Sequence, residues 1–266
     1  MTVLSWQQLT AGGNENIFKG GTALTVGCFD GPHSGHDVLF DEVFRAAAEK
    51  NLLPGIVTFS RPLPVLKHPD DYAGDIATLR QRLSGYERRG FAFCVVIDFS
   101  DDFSKISGND FLAVLKDFCG MKFLAEGPDF HCGHNGSFGM KQISEFAEAE
   151  GIAVSFPQLV LCSNCRISSS LIRKSIRSGD FETAEKMLGH PYELDFEGCA
   201  FKKSAGTYEY AKSSFLQVLP PDGMYNVMVN TSGLRACLEA SGGSILVHPA
   251  GNELPRIRSI QFLYKE

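Results

Sequence analysis

The sequence predicts an α/β fold, a parallel sheet wound with helices, followed by a small antiparallel β domain. From Gly21 to Tyr192, short apolar runs of strand length alternate with segments whose apolar residues recur at three and four, the mark of strands alternating with helices. After Tyr192 the alternation stops, and apolar stretches punctuated by Ser, Gly and Pro follow, as in antiparallel sheets. A chain of 266 residues holds one large domain or two modest ones. The boundary is set close to that change, giving domains 1–189 and 190–266.

Composition narrows the classes. An apolar share of 44% and a charged share of 21% are those of a globular chain. A net charge of −6 argues against a general nucleic-acid binder, which shows a basic face, yet leaves room for a mononucleotide. No stretch approaches the ~20 apolar residues that span a bilayer, and Met1 to Gly20 carries no leader-like run. Small-molecule partners, no membrane and a cytoplasmic setting are therefore expected. Eight scattered cysteines read as reduced thiols. Cys162-Ser163-Asn164-Cys165 lacks the second pair that a zinc site needs.

Along the chain, Met1 to Gly20 is a lead-in with room for one short helix. Ala23 to Val26 reads as a buried strand. Gly27, Gly31, Pro32 and Gly35 then make a tight loop carrying His33 and His36. Val38, Leu39, Val43, Phe44 and Ala47 continue at helical spacing. A small-residue loop feeding a helix start suits phosphate, because backbone N–H groups there are unpaired and the helix end is partially positive. The two histidines add donors. No Gly-Lys-Ser/Thr follows, so the loop is not a P-loop, nor is it a Gly-x-Gly-x-x-Gly fingerprint.

Leu53 to Phe59 is a second buried strand, stopped by Ser60-Arg61-Pro62-Leu63-Pro64. Ligands of doubly wound sheets lie at the carboxyl ends of strands, which puts Phe59 where a flat ring can pack. A helix is expected over Ile76 to Arg89, a strand over Phe91 to Phe99, and a helix after the cap Ser107. A fourth short strand, Lys122 to Ala125, leads into the turn Glu126-Gly127-Pro128-Asp129-Phe130-His131-Cys132-Gly133-His134. A helix over Met140 to Ala149 and a strand over Ile152 to Leu161 follow. Ser168, Ser169 and Ser170 then open a helix, and Arg173 sits in its first turn, where a cation opposes the helix dipole unless it has an anionic partner.

Gly27-Cys28-Phe29-Asp30-Gly31-Pro32-His33-Ser34-Gly35-His36 resembles the Gly-x-Phe-Asp-Gly-x-His-x-Gly-His signature of bacterial FAD synthetases, the FMN adenylyltransferase branch of the α/β-phosphodiester-forming nucleotidyltransferases. Ile167, Ser168, Ser169, Ile172 and Arg173 resemble that family's Ile-Ser-Ser-Thr-x-Ile-Arg, with Ser170 keeping the hydroxyl. Gly127, Asp129, Phe130 and Gly133 are similar to its Gly-x-Asp/Asn-Phe-x-Phe-Gly, with Cys132 where an aromatic is usual. Thr58-Phe59 matches its Thr-Phe-x-Pro-x-Pro, although the prolines are displaced. Gly179-Asp180 with Ala184, and Leu188-Gly189-His190-Pro191-Tyr192, continue the likeness.

The resemblance implies a Rossmann-like nucleotidyltransferase domain that moves AMP from ATP to FMN, giving FAD and pyrophosphate. It implies His33, His36 and Arg173 as catalytic residues. Gly27, Phe29, Asp30, Gly31, Gly35, Ser168, Ser169 and Ser170 would bind ATP, and Phe59, Asp129 and Phe130 would bind flavin. Mg²⁺ is expected to neutralise the leaving pyrophosphate, with Asp129 as its candidate protein ligand. A different acceptor (phosphopantetheine, nicotinamide mononucleotide) and a non-catalytic flavin- or nucleotide-binding protein are the alternatives.

In bifunctional members a β-barrel riboflavin kinase follows, and Leu219-Pro220-Pro221-Asp222-Gly223-Met224-Tyr225 resembles part of it. Here strands are expected at Phe215–Leu219, Tyr225–Val229 and Ser244–His248. The kinase segment Gly-Arg-x-x-Gly-Phe-Pro-Thr-Ala-Asn corresponds to about Gly206 to Ser214, where the Pro-Thr-Ala-Asn run is lost. The domain is expected to be a shortened β-barrel-like remnant without kinase activity.

Overall fold

The computed structural model describes residues 1–14, 16–62, 72–99, 101–158, 161–162, 165–230, 233–251 and 254–264. Leu63 and Pro64 of the proline turn, the expected strand end at 159–160, and Ser163 and Asn164 lie outside them. The chain divides into two compact units, one of Met1–Phe29, Gly35–Leu66 and Leu83–Arg166, the other of Asp30–Ser34, Lys67–Arg82 and Ile167–Glu266.

The first unit is built on six parallel strands: β1 (Thr2–Ser5), β2 (Thr22–Val26), β3 (Leu53–Phe59), β4 (Phe93–Ile97), β5 (Met121–Ala125) and β6 (Ala153–Ser155). Their order is β1-β4-β3-β2-β5-β6, so the sheet turns at β2. Every residue of β2 is buried, as both-face coverage demands. Alternate side chains feed two cores. Leu24, Val26, Phe93 and Val95 join Leu9 of α1 (Trp6–Thr10), Phe111 and Leu115 of α4 (Gly108–Cys119), and Ile143 of α5 (Met140–Glu150). Ala23 and Cys94 join Phe40 and Val43 of α2 (Ser34–Lys50) and Tyr86 of α3 (Leu79–Arg89) on the other face. A two-residue pair, β7 (Leu161–Cys162) and β8 (Cys165–Arg166), closes the unit.

Three elements depart from expectation. The lead-in contains edge strand β1 as well as the short helix, which is set by a capping box between Ser5 and Gln8. Among the described residues the fifth expected strand is reduced to Ala153–Ser155 and, at its far end, Leu161 of β7, because Pro157 cannot join a ladder. Helix α3 starts at Leu79 rather than Ile76. The N–H groups of Ile76 and Ala77 are taken by the Asp30 carboxylate, while Thr78 and Gln81 cap each other.

The second unit holds α6 (Ser169–Arg177), α7 (Phe181–Leu188) and seven antiparallel strands. These are β9 (Glu193–Asp195), β10 (Phe201–Ser204), β11 (Thr207–Ala211), β12 (Gly223–Val229), β13 (Leu234–Ser241), β14 (Ser244–Pro249) and β15 (Ser259–Phe262), in the order β10-β11-β14-β13-β12-β15-β9. Phe262 stacks on Phe181 at 4.3 Å, fastening α7 to the sheet. The strand expected at Phe215–Leu219 is corrected to a single parallel bridge, Gln217 with Asp75. The Gln217 side chain spends itself on the backbone of Ile76, Glu193 and Asp195, and Pro220 stops any extension. No helix among the described residues is long and apolar enough to cross a membrane.

Candidate functional site

In the first unit the strand β2 runs into Gly27, Cys28 and Phe29. Phe29 is non-glycine backbone at φ 43°, in the left-handed region that bulky residues avoid. The turn sends its ring back over Gly27, where a Cβ would lie 2.8 Å from it. Only glycine fits there. The buried ring packs on Phe40 at 5.2 Å and meets the His36 imidazole edge-on, at 5.0 Å and 88°. Phe29 therefore helps to orient His36, which stands half-buried in the first turn of α2.

At the carboxyl ends of neighbouring strands the same unit carries aromatic rings. Phe59 lies 6.1 Å from both Phe99 and Phe103, and Phe103 meets Trp6 at 5.3 Å. Phe59 and Phe130 pack, half-buried, on the same core. Asp129 is exposed in the turn after β5, and its carbonyl meets His131 Nδ1 at 2.9 Å.

Just before that turn, Glu126 is buried, and its Oε1 accepts the Val26 N–H at 2.6 Å. Burial pushes its carboxyl well above the usual range, against the pull of that N–H. Burial and then Glu126 raise the Cys132 thiol to about 12. A carboxyl held above its unfolded value of about 4.3 keeps its proton more tightly in the folded chain. Its contribution to stability is full below that value and drains as pH climbs toward the folded pKa. Urea unfolding between about pH 5 and 8 is expected to show this group's slope, at most about 1.4 kcal/mol per pH unit, and to lose it in Glu126→Gln. Equal slopes in both proteins would exclude a protonated Glu126.

In the second unit, Asp30 through Ser34 form a loop pinned from several directions. The Asp30 carboxylate accepts from the N–H groups of Ile76 at 2.9 Å and Ala77 at 3.3 Å, and pairs with Arg173. Burial lifts this carboxyl above its ordinary range, opposed by Arg173. The Ser169 hydroxyl donates to the Asp30 carbonyl, and the Ser34 hydroxyl to Met187. Gly31, at φ 63°, lies where a Cβ would strike Ile76. His33 is held 5% exposed between these ties.

Ser168 caps α6 by accepting the Leu171 N–H, and Ser170 is exposed beside it. Arg173 donates from Nε to the Gly74 carbonyl at 2.8 Å and from Nη2 to Asp30 and to the Tyr72 hydroxyl. Tyr72, which also lies under the guanidinium at 4.9 Å, donates to Asp75 at 2.8 Å. Nη1 makes no hydrogen bond among the described residues. The anionic partner that sequence reasoning required for Arg173 is, at least in part, the protein's own Asp30. Tyr72 and Glu126 were not foreseen, since an isolated Tyr or Glu carries no pattern.

No group of three or more His, Cys, Asp or Glu converges as a metal site among the described residues. Asp129 presents an exposed carboxylate oxygen, the kind of hard ligand that Mg²⁺, which keeps most of its shell of phosphate oxygens and water, takes from a protein.

A parallel sheet that turns at β2, with a loop carrying His33 and His36 after that strand and a serine-capped helix further on, is the Rossmann-like architecture expected from the sequence. A family model described as FAD synthetase matches residues 16–171. The chain belongs to that family, and it is a nucleotidyltransferase enzyme. It is 27% identical over 214 residues to the bifunctional riboflavin kinase/FMN adenylyltransferase of Escherichia coli (strain K12), covering 79% of this chain and 68% of that one. The protein of the same description from Haemophilus influenzae is 29% identical over 227 residues, covering 81% and 71%. Among solved structures, one titled a macrolide-efflux protein from Streptococcus pneumoniae superposes with a TM-score of 0.81 at 20% identity, over 98% of this chain and 90% of that one. That likeness establishes the fold alone.

Proposed function

We propose that this enzyme transfers AMP from ATP to FMN, forming FAD and pyrophosphate, and that it does not phosphorylate riboflavin. The observation that carries the first half is the bracing of the His33 loop, by Asp30, Arg173 and Ser169, to the start of α6, in a chain of this family. An FMN phosphate oxygen bonds to the α-phosphorus of ATP as the bond to pyrophosphate breaks. That phosphate is already an anion at neutral pH, so no general base is needed. Catalysis is alignment and charge stabilisation. His33 and His36 hold the phosphates and the departing charge. Gly27, Phe29, Asp30, Gly31 and Gly35 shape the loop for ATP. Ser168, Ser169, Ser170 and the first N–H groups of α6 receive the triphosphate, with Arg173 Nη1 beside them. Phe59 and Phe130 give the isoalloxazine an apolar wall. Asp129 stands as the protein ligand for Mg²⁺, which when bound neutralises pyrophosphate.

The second half rests on residues 190–266, which we assign as a shortened kinase-like domain after a transferase domain of 1–189. Where the kinase signature puts its hydroxyl and amide, this chain has β11. There Tyr210 is buried against Phe196 at 4.7 Å, and the Tyr208 hydroxyl donates to the Leu254 carbonyl. Those side chains are spent on packing. The purified protein with FMN, ATP and Mg²⁺ is expected to yield FAD and pyrophosphate in equal amounts, and with riboflavin and ATP to yield no FMN. Pyrophosphate release with another acceptor but not FMN would replace the first half, and FMN formation would end the second.

A further inference from the structure

One buried acid has no part in the roles above. Strand β2 is where the sheet order turns, with β3 on one side and β5 on the other, and ligands of open α/β sheets enter the crevice outside the strand ends at such a point. The β2–β5 ladder pairs Thr22, Ala23 and Leu24 with β5 and then stops. The Gly27 N–H turns to β3, donating to Val57 at 3.0 Å. The preceding N–H, of Val26, points to the opposite side, and Glu126 Oε1 receives it at 2.6 Å. The backbone N–H of Glu126 meanwhile donates to the carbonyl of Ser155, the last residue of β6, at 3.0 Å. The side chain is 1% exposed and makes no other hydrogen bond among the described residues. A carboxyl group thus replaces a missing rung where the strands part. It fastens the end of β2, which opens into Gly27, to the end of β5, which opens into Gly127.

We propose that Glu126 is a positioning residue for nucleotide binding, its side chain closing β2 onto β5 and fixing the two loops that begin beyond them. This rests on the reading of the chain as an ATP-using enzyme. A buried N–H left without an acceptor is costly, and here the cost falls on the residue before the histidine loop. With Glu126→Met that N–H is stranded at nearly equal side-chain volume, whereas Glu126→Gln keeps an acceptor oxygen at the same reach.

ATP binding to the full-length protein, measured by calorimetry beside thermal unfolding midpoints, tests the idea. Glu126→Met is expected to raise the Kd for ATP about tenfold or more, and Glu126→Gln to stay within about threefold of wild type. A purely structural role would lower the midpoint of the methionine variant and leave ATP affinity of the folded protein as it was. That outcome overturns the proposal, as does equal loss of affinity in both variants. Should the methionine variant not fold, Glu126→Asp, a methylene too short for Val26, serves in its place, and unchanged affinity there is equally fatal. Wild-type protein that binds ATP but makes no FAD sinks adenylyl transfer to FMN while this comparison still reads. Wild-type protein that binds no ATP sinks both.

Discussion

Replacing His36 by alanine is expected to lower the rate of FAD formation about 10²-fold or more with the fold intact, as for loss of a donor aimed at developing transition-state charge. The imidazole stands in the first turn of α2, where the helix dipole already favours anions, and is only half-buried. Little core packing is lost with it, so the thermal midpoint is expected to stay close to wild type. Phe29 helps to direct it, through an edge-on contact that depends on the left-handed turn at φ 43° and on the bare Gly27 beneath it. Gly27→Ala is accordingly expected to lower kcat in the same direction by driving the ring off its seat. An unchanged kcat in His36→Ala removes this histidine from the chemistry, whatever the state of the binding loop.

The strand, loop and helix around these residues were legible because each has a local cause. Glycine and proline end the strand, small residues let backbone approach a ligand, and apolar spacing of three and four restarts regular structure at Val38. What Asp30 does was not legible. Its carboxylate is spent on Ile76, Ala77 and Arg173, groups lying 46 to 143 positions away in sequence. Glu126 was hidden for a similar reason, since an acid after Ala125 looks like the first residue of a turn until the parting of β2 and β5 gives it a partner. The second sheet was legible as antiparallel but not strand by strand. Its outer members, such as the wholly exposed β10, present few apolar residues, while the apolar run Phe215–Leu219 is committed through Gln217 to side-chain bonds instead of a ladder.

Asp30→Ala is expected to destabilise the protein by about 3–5 kcal/mol, the usual cost of removing one member of a buried ion pair. Asp30 is 3% exposed and the Arg173 side chain 13% exposed, so water cannot easily replace the lost carboxylate. The deletion strands a guanidinium and two backbone N–H groups together, and the segment from Tyr72 to Ala77 loses what holds it to the loop. Arg173→Ala leaves the carboxylate with Ile76 and Ala77 still donating to it, so its cost is expected to be the smaller of the two. The double variant should be less unstable than the sum of the singles, by about 0.5–3 kcal/mol of coupling, because neither charge is then left alone. Urea unfolding of the three variants and wild type closes the cycle. Additive losses would mean that the two groups do not stabilise each other, and Arg173 would then act solely on the nucleotide. With coupling and a turnover loss in both singles, the aspartate of the signature serves by holding the arginine and the His33 loop in place, and the phosphates meet a cation already neutralised on one side.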